Sequence, residues 1–261
     1  MVVDVHCHLM HRSFENRISE IISRAKEAGL KKIIVSGVNP PTNRQALELA
    51  ELDPIFEVSL GIHPLDVSGI VTESAGLAIS EKIDFDEEFE FIKTKKDKIV
   101  ALGEFGLDFK YPLTQEKITL QKEIFLKFLD LAEKIKKPVI LHSRKAEKEV
   151  LDILPSFKLK VCLHCFTGRK SLILRAASAG YYFSIPPIIQ RLQHFQMLVS
   201  EVGIEQILTE TDSPWLAPFL SLINEPANVK FAIEKIAEIK KISSEALSKK
   251  IWENFEKIFV H

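Results

Sequence analysis

Cysteine is scarce in this sequence: Cys7, Cys162 and Cys165 are the only three in 261 residues. A small, odd number excludes a disulfide framework and fits a reducing compartment. Cys162 and Cys165 spell C-x-x-C, but no second pair completes a zinc ribbon. The thiols read as small buried hydrophobes, and on a strand end Cys162 and Cys165 would face opposite sides. An excess of charge is also missing. Lys and Arg total 35 against 36 for Asp and Glu, a formal net charge of -1. That excludes a protein that coats polyanions through an overall basic surface, so any nucleic-acid contact must be local or carried by bound cations. No uninterrupted apolar stretch is long enough to span a bilayer. The opening residues have neither a basic segment nor a long apolar one of the secretory kind. The expectation is a soluble, cytoplasmic protein with no membrane contact and no obligate protein partner. A Gly-rich phosphate loop after an early strand is absent too, which argues against a doubly wound nucleotide-binding sheet.

What the chain does have is alternation, with 46% hydrophobic residues to build a core. Short β-branched runs at residues 2–5, 32–36, 56–60, 99–102, 138–141, 159–163, 181–184 and 206–209 predict strands. Amphipathic segments between them predict helices, the longest over 114–136 and stopped before Pro138. Two more helices are expected over 227–239 and 244–259. Eight strand–helix units in one series imply a parallel sheet, and eight strands close into an α/β TIM barrel, (β/α)8. No linker-like shift in composition interrupts residues 1–261, so a single domain is expected. Residues 67–82 read as a longer loop with a turn of helix.

Chemistry-bearing residues collect at the ends of the predicted strands. In Asp4-Val5-His6-Cys7-His8 the period of a strand puts His6 and His8 on one face and Cys7 on the other. Two imidazoles at i and i+2 make half of a metal site. His11 reads as a surface residue. Glu104 follows the fourth predicted strand, His142 the fifth, His164 the sixth and Asp212 the eighth. In a parallel barrel all these ends open on one face, so the six residues converge. Six such ligands exceed what one tetrahedral zinc needs and suit two divalent ions sharing a carboxylate. His63, in Gly61-Ile62-His63-Pro64, faces the same opening or merely makes a turn. Arg144 suits a phosphate or a carboxylate, or caps a helix at the surface. Asn224, in Asn-Glu-Pro, is a substrate contact or a helix cap.

Seven segments carry a resemblance: DVHCHL from Asp4, GIHP from Gly61, ALGEFGLDF from Ala101, PVILHSRKA from Pro138, LHCFTG from Leu163, LTETDSPWLAP from Leu208 and NEPANV from Asn224. In this order, over nearly the whole chain, they resemble the TatD family of metal-dependent deoxyribonucleases, amidohydrolase-like barrels. The resemblance implies that His6 and His8 bind one metal with Asp212, that His142 and His164 bind a second, and that Glu104 bridges them. Glu104 and Asp212 would be the catalytic carboxylates. His63, Arg144 and Asp108 would lie near substrate or behind the ligands. The cofactors implied are two divalent ions, magnesium, manganese or zinc, and the substrate implied is DNA, cleaved at its phosphodiester bonds and often from an end. Some TatD-like proteins instead remove D-amino acids from tRNA, an ester hydrolysis by the same chemistry. The sequence departs from the family's usual pattern twice: Met10 follows Leu9 where an Asp is common after the second His, and Ile223 stands where an Arg often precedes Asn224.

Overall fold

The computed structural model describes residues 1–70, 76–79, 82–220 and 223–260. Its strands are β1 (Val2–Cys7), β2 (Leu30–Ser36), β3 (Phe56–Leu60), β4 (Ala101–Gly106), β5 (Val139–His142), β6 (Val161–His164), β7 (Tyr182–Ile185) and β8 (Ile207–Thr209). They form one sheet in sequence order, each parallel to the next. Around it lie helices α1 (Ile18–Glu27), α2 (Pro40–Ala50), α3 (Pro64–Val67), α4 (Phe85–Thr94) and α5 (Gln115–Ile135). They are followed by α6 (Glu147–Ile153), α7 (Lys170–Ser178), α8 (Gln193–Glu201), α9 (Val229–Lys240) and α10 (Ser244–Phe259). The result is the expected (β/α)8 barrel, nearly closed. Among the described residues no helix is long and apolar enough to cross a membrane. The loop expected over 67–82 falls partly on 71–75, 80 and 81, outside the described residues.

Local signals fix the helix ends. Asn39 accepts from Thr42 N, and the Thr42 hydroxyl accepts in turn from Asn39 N, a reciprocal box with Pro40 and Pro41 in the first turn. Asp84 caps α4, and Asp86, Glu87 and Glu88 follow in its first turn, where acids favour the helix dipole. Gly29 and Gly180 follow α1 and α7 with φ of 86° and 80°, the left-handed conformation that ends a helix.

The strands are buried on both faces, as a barrel wrapped by helices requires. Phe105 of β4 points outward onto α5, with ring centroids 4.6 Å from Phe128 and 5.8 Å from Phe125. Its neighbour Glu104 points inward by the same alternation. Here the structure corrects the sequence reading. β4 does not end at Leu102: it runs to Gly106, so Glu104 lies within the strand. Its two glycines serve close approach. A Cβ on Gly106 would meet the His142 carbonyl oxygen at 1.9 Å, and the pairing of β4 with β5 shifts register between Leu102 and Phe105. Helix α8 starts at Gln193, after a 3₁₀ turn over Pro187–Gln190.

The seam between β1 and β8 is closed largely by side chains. Thr209 Oγ1 donates to the Val3 carbonyl at 2.7 Å. Asp4 accepts from Thr211 N at 2.8 Å and from Thr211 Oγ1 at 2.5 Å. Beyond β8, Asp212 N donates to His6 O and His8 N donates to Ser213 O, both at 2.9 Å. The seam therefore brings Asp212 directly beside the histidines of β1.

Candidate metal centre

His6 and His8 share the inner face of β1 as the alternation predicts, while Cys7 turns away toward the Ile34 carbonyl. Both rings are oriented by one residue of the next strand. His8 Nδ1 donates to the Ser36 carbonyl at 2.9 Å, and His6 Nδ1 lies 3.0 Å from Ser36 Oγ, itself an acceptor from Ser59 Oγ. With its Nδ1 protonated, neutral His8 carries its lone pair on Nε2. That atom lies 3.0 Å from Nε2 of His6. Two such nitrogens repel at this distance unless a proton or a cation lies between them. Carboxylates complete the cluster. Glu104 Oε2 is 3.3 and 3.4 Å from the two Nε2 atoms, and Asp212 Oδ1 is 3.5 and 3.4 Å away.

The other oxygen of Glu104 faces a second pair of histidines. Oε1 is 2.6 Å from His142 Nδ1 and 3.7 Å from His164 Nε2. Each of these rings has its remaining nitrogen held from behind by an acid. His142 Nε2 donates to Asp108 Oδ2 at 3.0 Å, and His164 Nδ1 donates to Glu210 Oε2 at 2.8 Å. A carboxylate behind an imidazole selects the tautomer whose free lone pair points at a metal. The donor set therefore fits divalent cations: four imidazole nitrogens and two carboxylates, all buried or nearly so, in two groups that share Glu104.

Electrostatics follow from this crowding. Burial opposes charge on His6, yet Glu104 and Asp212 outweigh it and hold its pKa well above the ordinary imidazole range. His142, also buried, is lifted to about 9 by Asp108 and Glu104 on either side. Burial likewise opposes ionisation of Glu104, Asp108 and Asp212, but the histidines around each, joined at Asp108 by Arg144, hold all three below the usual carboxylate range. His63 goes the other way, to about 3, because burial and the neighbouring His142 outweigh Glu104. Its Nδ1 accepts from Leu65 N at 3.2 Å, capping α3, so its proton sits on Nε2, 3.6 Å from Glu104 Oε1. His63 is thus both the turn residue and an N–H donor aimed into the opening.

Of the other candidates, Arg144 caps no helix. Asp108 Oδ2 grips its Nε at 2.8 Å and its Nη2 at 2.6 Å, and the guanidinium lies 5.6 Å from the ring centre of Tyr111. Asn224 is neither a helix cap nor exposed to a ligand. Buried, it donates to the carbonyls of Thr211 and Trp215, both at 2.7 Å, and ties down the loop that carries Asp212. His11 is not a surface residue: it is buried, with its ring 5.5 Å from that of Trp215. Cys165 lies past the end of β6 with φ 43°, so it does not alternate with Cys162 as a strand residue would. Two residues went unnoticed in the sequence. Glu210 and Asp4 are fully buried, and each sits two positions before a proposed ligand, Asp4 on the inner face of β1 with His6 and Glu210 just past the end of β8. An acid inside an apolar strand costs too much to bury without donors, and that was the available signal.

These groups floor a cavity of about 460 Å³ whose walls include Leu65, Asp66, Tyr111, Arg144 and Trp215. Comparison with known proteins agrees with the geometry. The family described as TatD related DNase matches residues 3–260. An uncharacterized metal-dependent hydrolase from Methanocaldococcus jannaschii is 35% identical over 257 residues, covering 98% of this chain and 96% of that protein. Human deoxyribonuclease TATDN3 is 34% identical over 262 residues, covering 99% of this chain and 94% of its own. The crystal structure of the Escherichia coli TatD homolog YJJV shares the fold, with a TM-score of 0.86 at 23% identity over 99% of this chain and 97% of that one. A match of this extent, on a barrel with this donor set at its mouth, makes the chain a member of the TatD family, a metal-dependent hydrolase.

Proposed function

We propose that this protein is a deoxyribonuclease that hydrolyses phosphodiester bonds with two divalent cations, removing nucleotides from a DNA end. The observation that carries the reading is the position of Glu104. One of its oxygens faces the Nε2 atoms of His6 and His8, and the other faces His142 and His164. His6, His8 and Asp212 would hold one cation, His142 and His164 the other, and Glu104 both. Such ions supply a nucleophile from water at neutral pH and neutralise charge on the reacting phosphate. Manganese, zinc and magnesium are the candidates, and the imidazole-rich set favours the first two.

The chain's own residues do the rest. Asp212 orients the attacking water and takes its proton. Its Oδ1 sits between the two histidines of β1, and His6 O holds its backbone. His63 Nε2–H donates to a phosphate oxygen. Arg144, fixed by Asp108 along its Nε and Nη2 edge, turns its remaining edge and its charge to the phosphate. The relative named as a deoxyribonuclease supports DNA as the substrate. A cavity of about 460 Å³ suits a single terminal nucleotide, which supports cleavage from an end. With a net charge of -1, bound cations also account for how such a chain receives a polyanion.

The test is a panel of single-stranded DNA, duplex DNA, RNA and a D-aminoacyl-tRNA, each with magnesium, manganese and zinc, on wild type, Glu104→Gln and His63→Ala. Wild type should cleave DNA and bind two ions. Glu104→Gln should lose both ions and all turnover, whereas His63→Ala should keep its metal and lose rate. Near-wild-type turnover by Glu104→Gln would refute the shared-carboxylate mechanism.

A further inference from the structure

One carboxylate on the cavity wall takes no part in the arrangement above. Asp66 lies in α3, three residues after His63, and lines the same cavity. Asn39 Nδ2 donates to its Oδ1 at 2.8 Å and to the Ala78 carbonyl at 2.9 Å. The amide cannot turn over, because Asn39 Oδ1 is engaged by Thr42 N at the start of α2. Asp66 is therefore held in one pose by a fixed donor. Among the described residues no cation pairs with it, whereas Glu104, Asp212, Asp108 and Glu210 are each matched by histidine or arginine. Burial, reinforced by Glu104 and only partly offset by Asn39, raises its pKa to about 6.

An unmatched carboxylate repels phosphate, so it cannot face the phosphodiester. It suits a part of the substrate that offers N–H donors. The wall beside it is apolar, formed by Leu65, Ile70, Leu77 and Ile79, and suits a flat ring. A nucleotide carries both features on one group, its base. We infer that Asp66, held by Asn39, reads the base of the terminal nucleotide by accepting an N–H from its edge, with the base ring on the apolar wall and the phosphate toward Glu104 and Arg144. The inference rests on the deoxyribonuclease reading and adds a specificity residue to it.

The test compares adenine with unsubstituted purine, which lacks the exocyclic amine. Binding of the two deoxynucleoside monophosphates to the metal-loaded protein is measured by calorimetry. In parallel, kcat/KM is measured on oligonucleotides ending in either base. Wild type should favour adenine at least tenfold in both assays, the range expected for a hydrogen bond to a charged acceptor. Asp66→Asn should bring the ratio near one, because Asn39 occupies the new amide's oxygen and leaves its NH2 toward the base. Asn39→Ala, which frees Asp66 to turn, should lower the ratio as well, and metal content with melting curves shows that both variants are folded. If wild type cleaves both oligonucleotides equally, the inference fails and the nuclease reading stands. If wild type cleaves no DNA, or turns over a D-aminoacyl ester in its place, both fail.

Discussion

Glu210→Gln isolates the role of the carboxylate behind His164. Glu210 is fully buried and accepts three hydrogen bonds: His164 Nδ1 at 2.8 Å and Ser184 Oγ at 2.5 Å on one oxygen, and Cys165 N at 3.0 Å on the other. Glutamine keeps the volume but replaces one oxygen with a donor, so the three donors can no longer all be satisfied. If the amide oxygen stays with His164, Cys165 N loses its acceptor, a desolvation cost of about 1–3 kcal/mol to the fold. If the amide oxygen turns to Cys165 N, the NH2 faces His164 Nδ1. The ring must then shift its proton to Nε2, which removes the lone pair aimed at Glu104 and Asp212. Loss of such a supporting carboxylate typically costs 10–100-fold in metal affinity, about 1–3 kcal/mol.

The two outcomes separate by measurement. Metal affinity comes from competition with a chromophoric chelator, stability from melting curves in excess chelator, and the tautomer of His164 from its ring nitrogen shifts. The second outcome predicts a 10–100-fold loss of affinity with an Nε2–H ring, the first a lower metal-free Tm. A variant with wild-type affinity and wild-type metal-free stability would refute the argument that Glu210 sets the tautomer of His164.

Two further predictions follow from the geometry around Glu104. A Cβ on Gly61 would lie 2.4 Å from the Glu104 carbonyl oxygen and 2.9 Å from its nitrogen, backbone contacts that no rotamer relieves. Gly61→Ala should therefore displace Glu104, lower affinity for both ions at least tenfold and destabilise the metal-free protein by about 1–3 kcal/mol; titration showing unchanged affinity would remove this packing as the cause of Glu104's position. His142 is raised from 6.5 to about 9 in the metal-free protein, so its contribution is complete below pH 6.5 and is lost as pH rises through 9. Between pH 6 and 10 in chelator, wild type should lose about 3 kcal/mol more stability than His142→Gln, and parallel melting profiles would contradict the ion-pair geometry.

The sequence made the barrel and the six converging residues legible for a common reason. Most strands are short β-branched runs, and each proposed ligand stands just inside, at or shortly past the end of a strand, so a parallel arrangement alone brings them together. What escaped the reading depends on partners far along the chain. Ser36 orients both histidines of β1 from across a strand pair, which no local pattern reveals. The need for glycine at 103 and 106 comes from Ile140 and His142 of β5 lying against them, which the local sequence does not show. His11 looked polar and solvated because nothing nearby in the sequence announces Trp215. Asp4 and Glu210 were within reach: alternation places Asp4 on the inner face of β1 with His6, and Glu210 directly follows the apolar run of β8, where solvent cannot satisfy either.

Asp4 also shows why closing the barrel and building the site are one problem. Its carboxylate holds Thr211 at the seam and accepts from His6 N at 3.3 Å, linking β1 to the segment that carries Asp212. Burial, opposed by the Thr211 and His6 donors and assisted by Glu210, raises its pKa to about 7. Across that seam, His6 and His8 belong to the first strand, and Asp212 follows the last. A cation held by all three would therefore reinforce the join between the two ends of the sheet, where the backbone bonds from Asp212 N to His6 O and from His8 N to Ser213 O already cross. Binding energy at such a position stabilises the folded barrel as well as the site, because the unfolded chain does not bring these ligands together. On the proposed ligand set, the stability of this fold and of its hydrolytic centre would draw on the same few residues, Asp4, His6, His8 and Asp212.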